Sequence, residues 1–140
     1  MKPIVRSELI YVRVPAGTGP GAAIPFPDQP SLNGTSITGV EAYVEEVLAF
    51  TPDRTPVLPL ASAVLFGVSF NEGSDKRHQN IPITALITAL QGGIWHEFQP
   101  FKVDYQKSRV HFYGTAATED LVAVPLLVHY IRPEDVGQGL

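Results

Sequence analysis

The sequence predicts an all-β fold, an antiparallel β-sandwich of jelly-roll or Greek-key type with about seven or eight strands. Three observations carry that prediction. Leu58, Leu60, Val64, Phe66, Val68 and Phe70 share one phase of a period-two pattern, the mark of a long strand with one face in a core. Turn residues recur at short intervals, supplied by 13 prolines and 12 glycines. Charged residues make up 17% of the chain against 44% hydrophobic, fewer than exposed helical faces carry.

Taken in order, Ile4 to Val14 is the first strand, with Ile10, Val12 and Val14 on one phase and Val5, Leu9 and Tyr11 on the other. It reads as an amphipathic edge or near-edge strand that ends at Pro15. Residues 15–36 form a Gly/Pro-rich loop whose apolar members Ile24, Phe26 and Leu32 dock on something, either their own domain or a neighbouring subunit. Ile37 to Phe50 fits both a helical stripe (Val40, Tyr43, Val44, Val47, Leu48) and an alternating strand. Gly39 and the β-branched valines favour the strand.

The stretch from Leu58 to Ile87 is the expected centre of the fold. Its strand to Phe70 turns at Asn71-Glu72-Gly73-Ser74-Asp75 and returns from Lys76, giving a hairpin on which the other strands assemble. Pro82 inside Ile81-Pro82-Ile83 indicates a sheet edge or bulge, and Thr84 to Leu90 has room for one or two helical turns before Gln91-Gly92-Gly93. Phe101 to Tyr105 and Arg109 to Tyr113 alternate about Gln106-Lys107-Ser108 as a short hairpin. Gly114 to Asp120 is a polar loop. Leu121 to Ile131, apolar on both phases, is an interior strand with Pro125 at a bulge or an unpaired position. Residues 132–140 form a polar tail, and the whole of 1–140 reads as one domain.

Composition removes several functions. Ten basic against 14 acidic residues give a net charge of −4 with no basic run, so direct binding to a nucleic-acid backbone is not expected. The chain has no cysteine, which excludes disulfides, thiolate metal sites and thiol catalysis. Met1 to Val14 lacks the apolar core of a signal peptide, and no stretch reaches the length of a membrane span.

The chemical motifs weigh toward structure. Gly17-Thr18-Gly19-Pro20-Gly21 lacks the Lys-Ser or Lys-Thr and the following helix of a phosphate loop. His78, His96, His111 and His129 show no ligand spacing, although His111 and His129 lie in predicted strands that could be neighbours. His96-Glu97 beside Trp95 has the groups of a small acid/base site, but a loop anchored by its tryptophan is the better account. Asp75-Lys76-Arg77-His78 is a charged hairpin tip. The adjacent pairs Glu119-Asp120 and Glu134-Asp135 diverge on a strand and do not suit two-carboxylate catalysis. Asn33-Gly34-Thr35 matches a glycosylation acceptor without a secretory signal to give it meaning.

These readings predict a non-enzymatic, cofactor-free protein that associates with itself, with Ile24, Phe26 and Leu32 as candidate subunit contacts. The alternative is a carbohydrate- or other ligand-binding module, with Trp95, Phe98, Tyr105 and Tyr113 as candidate ligand-facing aromatics.

A run of short patterns adds a resemblance. Gly39-Val40-Glu41-Ala42-Tyr43, Thr51-Pro52-Asp53-Arg54, the strand to Phe70, Ile81-Pro82-Ile83 with Leu86, Phe101 to Ser108 and Val128-His129-Tyr130 follow in order over residues 37–131. In this the chain resembles small β-sandwich structural proteins of bacteriophage virions, of minor capsid or penton type. The resemblance implies a jelly-roll subunit of a capsid, forming a pentamer or trimer with itself and meeting other virion proteins. It also implies a location in the virion, assembled in the host cytoplasm. It assigns no role to any residue.

Overall fold

In a computed structural model, which describes residues 4–114 and 122–135, the chain forms two four-stranded antiparallel sheets with short helices packed against them. Sheet 1 has the order β1-β8-β3-β6 and is built from β1 (Arg6–Val14), β8 (Val122–Ile131), β3 (Ser36–Ala42) and β6 (His96–Lys102). Sheet 2 has the order β2-β7-β4-β5, from β2 (Ala23–Pro25), β7 (Arg109–Phe112), β4 (Phe66–Glu72) and β5 (Asp75–Pro82). Helices α1 (Leu60–Ala63) and α2 (Ile83–Leu86) complete it, with 3-10 turns at Pro30–Leu32, Thr88–Gln91 and Pro133–Asp135.

The fold is therefore mixed, which corrects the expected all-β jelly-roll or Greek-key sandwich. The same finding overturns the resemblance to phage capsid and penton proteins, and with it the capsid function. The physical reason lies at two prolines. Pro59 and Pro82 stand at the N-caps of α1 and α2, with φ of −65° and −59° that suit a helix entrance. Behind Pro59 come Ala61, Ser62 and Ala63, short side chains that wind readily, so the long strand expected from Leu58 is broken and β4 starts only at Phe66. Ile83 and Leu86 of α2 are fully buried, and α2 packs on β3, β4 and β5.

Other elements fall closer to expectation. The β4–β5 hairpin exists, turning at Gly73 with φ +57°. β8 is an interior strand, paired with β1 on one side and β3 on the other. Ile37 to Phe50 divides: β3 takes its first part, and turns follow from Glu45. The expected hairpin of Phe101–Tyr105 with Arg109–Tyr113 does not form. β6 pairs with β3 in sheet 1 and β7 with β2 and β4 in sheet 2, so Val103 to Ser108 arches between the sheets. The amide of Asp104 donates to the Asn71 carbonyl and the Ser108 hydroxyl to the Asp104 carbonyl, tying that arch to β4. Residues 115–120 of the polar loop, Glu119-Asp120 among them, lie outside the described residues, as do Leu121, Met1–Pro3 and the tail beyond Asp135.

The core fills the space between the sheets. Ile10, Val12, Val14, Val40, Val124, Leu126 and Val128 from sheet 1 meet Ile24, Val68, Phe70 and Val110 from sheet 2. Phe70 sits at its centre, edge-on to Phe26 at 5.8 Å and to Phe98 at 5.7 Å.

Candidate functional site

Alternation in sheet 1 sends Ile10 and Val12 of β1, and Leu126 and Val128 of β8, into the core. Ser7, Leu9 and Tyr11, with Leu127 and His129, then belong to the outer face. A bulge between Ile37 and Gly39 resets β3, so that Glu41 comes beside His129. Ser7 lies directly across from His129 in the β1–β8 register.

These residues form a line of hydrogen bonds. His129 Nε2 donates to Glu41 Oε2 at 2.7 Å, since a carboxylate accepts. Thr88 donates to Glu41 Oε1 at 2.6 Å. In the neutral ring His129 Nδ1 accepts from the Ser7 hydroxyl at 2.8 Å. Glu41 and His129 are both buried, and each has its polar atoms satisfied. Over them lies Trp95, stacked on the imidazole with ring centroids 4.4 Å apart. Gly39 makes that possible. A Cβ there would stand 2.9 Å from the indole Cδ1 and 3.0 Å from the His96 carbonyl oxygen.

Serine, histidine and glutamate at these distances are the groups of a nucleophilic triad, but the backbone is of another kind. Ser7 is in the extended run of β1 rather than at the sharp strand-to-helix turn that presents a nucleophile. The line instead closes the hydrogen bonding of a buried carboxylate and seats a tryptophan.

The outer face of sheet 2 carries a smaller counterpart. Ser69 and His111 Nε2 are 2.7 Å apart, and the Asn80 amide donates to the Ser69 oxygen. Tyr113 lies against the His111 ring and donates to Asn80 Oδ1. Burial, then the Arg109 charge, pulls the His111 ring below its ordinary range. His111 and His129 thus sit on opposite sheets. His78 lies 4.4 Å from the Phe98 ring, which His96 also meets edge-on at 5.0 Å.

The residues singled out from the sequence are dispersed. Ile24, Phe26 and Leu32 are buried in this chain's own core. Phe98 and Tyr105 are buried as well, whereas Trp95 is 42% exposed on sheet 1 and Tyr113 51% exposed on sheet 2. The four aromatics share no surface. Tyr105 keeps a buried hydroxyl with no partner among the described residues, and burial, Glu8 and Tyr130 push its phenol up. Among the described residues no group of three or more His, Asp or Glu could hold a metal ion, and no helix is long and apolar enough to cross a membrane.

Sequence reasoning met His129 only as one of four scattered histidines and Glu41 only inside a short pattern, and it passed over Ser7 and the line that joins the three. A signal was present. Apart from the Tyr130 phenol, His129 is the one polar side chain in Val122–Ile131, and Glu41 interrupts an apolar run, so two polar groups on apolar strands called for each other.

Compared with known proteins, the chain matches no family model, no curated protein and no solved structure.

Proposed function

We propose that this chain is a non-enzymatic binding domain whose partner is a second copy of itself, the copies meeting along β1. The observation that carries this reading is the state of that edge. β1 pairs with β8 through nine consecutive residues, Arg6 to Val14, with no proline of its own and no register shift, and no described strand pairs with its other side; Ser31 donates to its Glu8 carboxylate and its Arg13 to Asp53. A long, regular edge is a template for another strand. The three other sheet edges are blunted. β2 has three residues ending in Pro25, β6 contains Pro100 beside a bulge, and β5 is charged and irregular.

Two copies joined edge to edge share an isologous contact that closes at a dimer. That favours two copies over the trimer or pentamer expected from the sequence. Light scattering after size exclusion, over a hundredfold range of concentration, tests it. A dimer mass that dissociates on dilution is expected, and a monomer throughout would sink the reading. Labelling of Ser7 by a fluorophosphonate probe would overturn its non-enzymatic half.

A further inference from the structure

The geometry points to Asn33 as a modification site, one that loses its side-chain amide by cyclising onto the Gly34 nitrogen and takes up water to leave isoaspartate and aspartate. The chemistry asks for a side-chain amide free to swing, an unhindered residue after it, and a peptide N–H that no acceptor holds. Asn33 meets all three. Asn33 and Gly34 are both exposed on the turn between Leu32 and β3. Among the described residues neither the Asn33 side chain nor the Gly34 N–H has a hydrogen-bond partner. Closing the ring turns the Asn33–Gly34 peptide away from its ψ of 129°, a rotation that a glycine follows freely. Gly34 stands at φ +78° with nothing within 4 Å of where a Cβ would be. An open cleft of about 450 Å³, lined by Asn33, Gly34, Glu72, Lys102 and Asp104 among others, admits water.

The other two asparagines lack these conditions. Asn71 Nδ2 donates to the Lys107 carbonyl and its Oδ1 accepts from Gln79, both at 3.0 Å, and Glu72 follows it in β4. Asn80 Oδ1 accepts from the Tyr113 hydroxyl, and the β-branched Ile81 follows it, paired with Val68. At Asn33 the Gly34 nitrogen gives up its proton and bonds to Cγ, the Cγ–Nδ2 bond breaks, and ammonia leaves. Water then opens the five-membered imide. Attack at the side-chain carbonyl leaves aspartate, and attack at the main-chain carbonyl leaves isoaspartate. Exchange of one amide for one carboxylate takes the net charge from −4 to −5. Isoaspartate also adds a backbone carbon inside the turn that Thr35 closes on the Leu32 carbonyl with both its N–H and its hydroxyl. Leu32 is fully buried, so conversion loosens a core anchor.

Purified full-length protein, held folded at mildly alkaline and at mildly acidic pH, is followed over weeks by peptide mass mapping. The peptide holding Asn33 is expected to gain the mass of an amide-to-acid exchange, with isoaspartate exceeding aspartate and the alkaline sample leading. The peptides holding Asn71 and Asn80 should stay intact. Hydroxylamine, which attacks the imide, should cut the chain between residues 33 and 34. Asn33→Gln, at an exposed position, should lose both signals and keep the wild-type circular dichroism. An Asn33 peptide that converts no faster than those of Asn71 and Asn80 overturns the site. Conversion to aspartate with no isoaspartate overturns the ring.

Discussion

β1 and β5 each end a sheet, and they are backed by different chemistry. Behind β1 stands the polar line of His129, Glu41 and Thr88 under Trp95, joined to the strand through Ser7. Behind β5 stand rings: His78 lies against Phe98 and Phe101, and the Arg77 guanidinium sits 5.3 Å over the Phe101 ring. β5 also presents Asp75, Lys76 and Arg77 to solvent, holds Asn80 at φ +54°, and shifts register twice against β4. Charge, bulges and a left-handed residue are the usual means by which an edge refuses another strand. β1 keeps its nine residues straight. The contrast teaches that edge protection is a local property, set residue by residue, and that one molecule can guard one edge and offer another.

The largest effect on this comparison should come from Glu41. Replacing it with alanine strands a buried imidazole N–H and the Thr88 hydroxyl, and should cost about 3 kcal/mol of stability in chemical denaturation. Glu41→Gln keeps an acceptor for His129 and should cost about 1 kcal/mol. Equal losses for the two variants would show that the polar line does not support β1.

Gly39→Ala comes next. The added methyl meets both the indole and the His96 carbonyl, so about 1–2 kcal/mol should be lost as Trp95 lifts from His129. With a single tryptophan in the chain, a red shift of its emission reports the lifting directly. An unchanged spectrum would mean that the indole does not rest on Gly39.

The smallest effect belongs to the β5 side and appears with pH. Burial, then the charges of His96 and Arg77, lowers the His78 ring below its ordinary 6.5, so the fold favours the neutral form. As pH falls through 6.5 the unfolded chain takes up the proton first. Stability is full above that value and is lost downward through the folded value. His78→Gln should flatten the fall in melting temperature between about pH 7 and pH 5, leaving the share carried by His111, which is shifted the same way. A slope that His78→Gln leaves unaltered would remove the ring from that role.

Much of the strand content was legible because alternation is a local signal. β1, the β4–β5 hairpin and the interior β8 all follow from phases read within ten or so residues. Helix α1 was missed because Leu58–Phe70 keeps period two straight through Pro59, and four residues are too few to impose a period of their own, whereas α2 and the 3-10 turn at Thr88–Gln91 fall where helical turns were expected at Thr84 to Leu90. The pairing of Phe101–Tyr105 with Arg109–Tyr113 failed for a different reason. A turn signal fixes that the chain reverses, and which sheet receives each arm is decided by packing on Asn71 and β4. The candidate site was the least visible part. Ser7 and His129 are 122 positions apart, and only the β1–β8 register makes them neighbours.

That separation reaches into synthesis. β8 is made after every other strand described, yet it is the strand that holds β1 to β3. A nascent chain that has emerged only to β7 can assemble sheet 2, whose four members are all present. Strand β1 has no hydrogen-bonding neighbour until β8 arrives. For as long as translation takes to reach Val122, the same edge proposed to recruit a second mature copy is open to every other nascent chain on the polysome. Speed of translation between β7 and β8, and chaperone occupancy of β1, would then bear on yield.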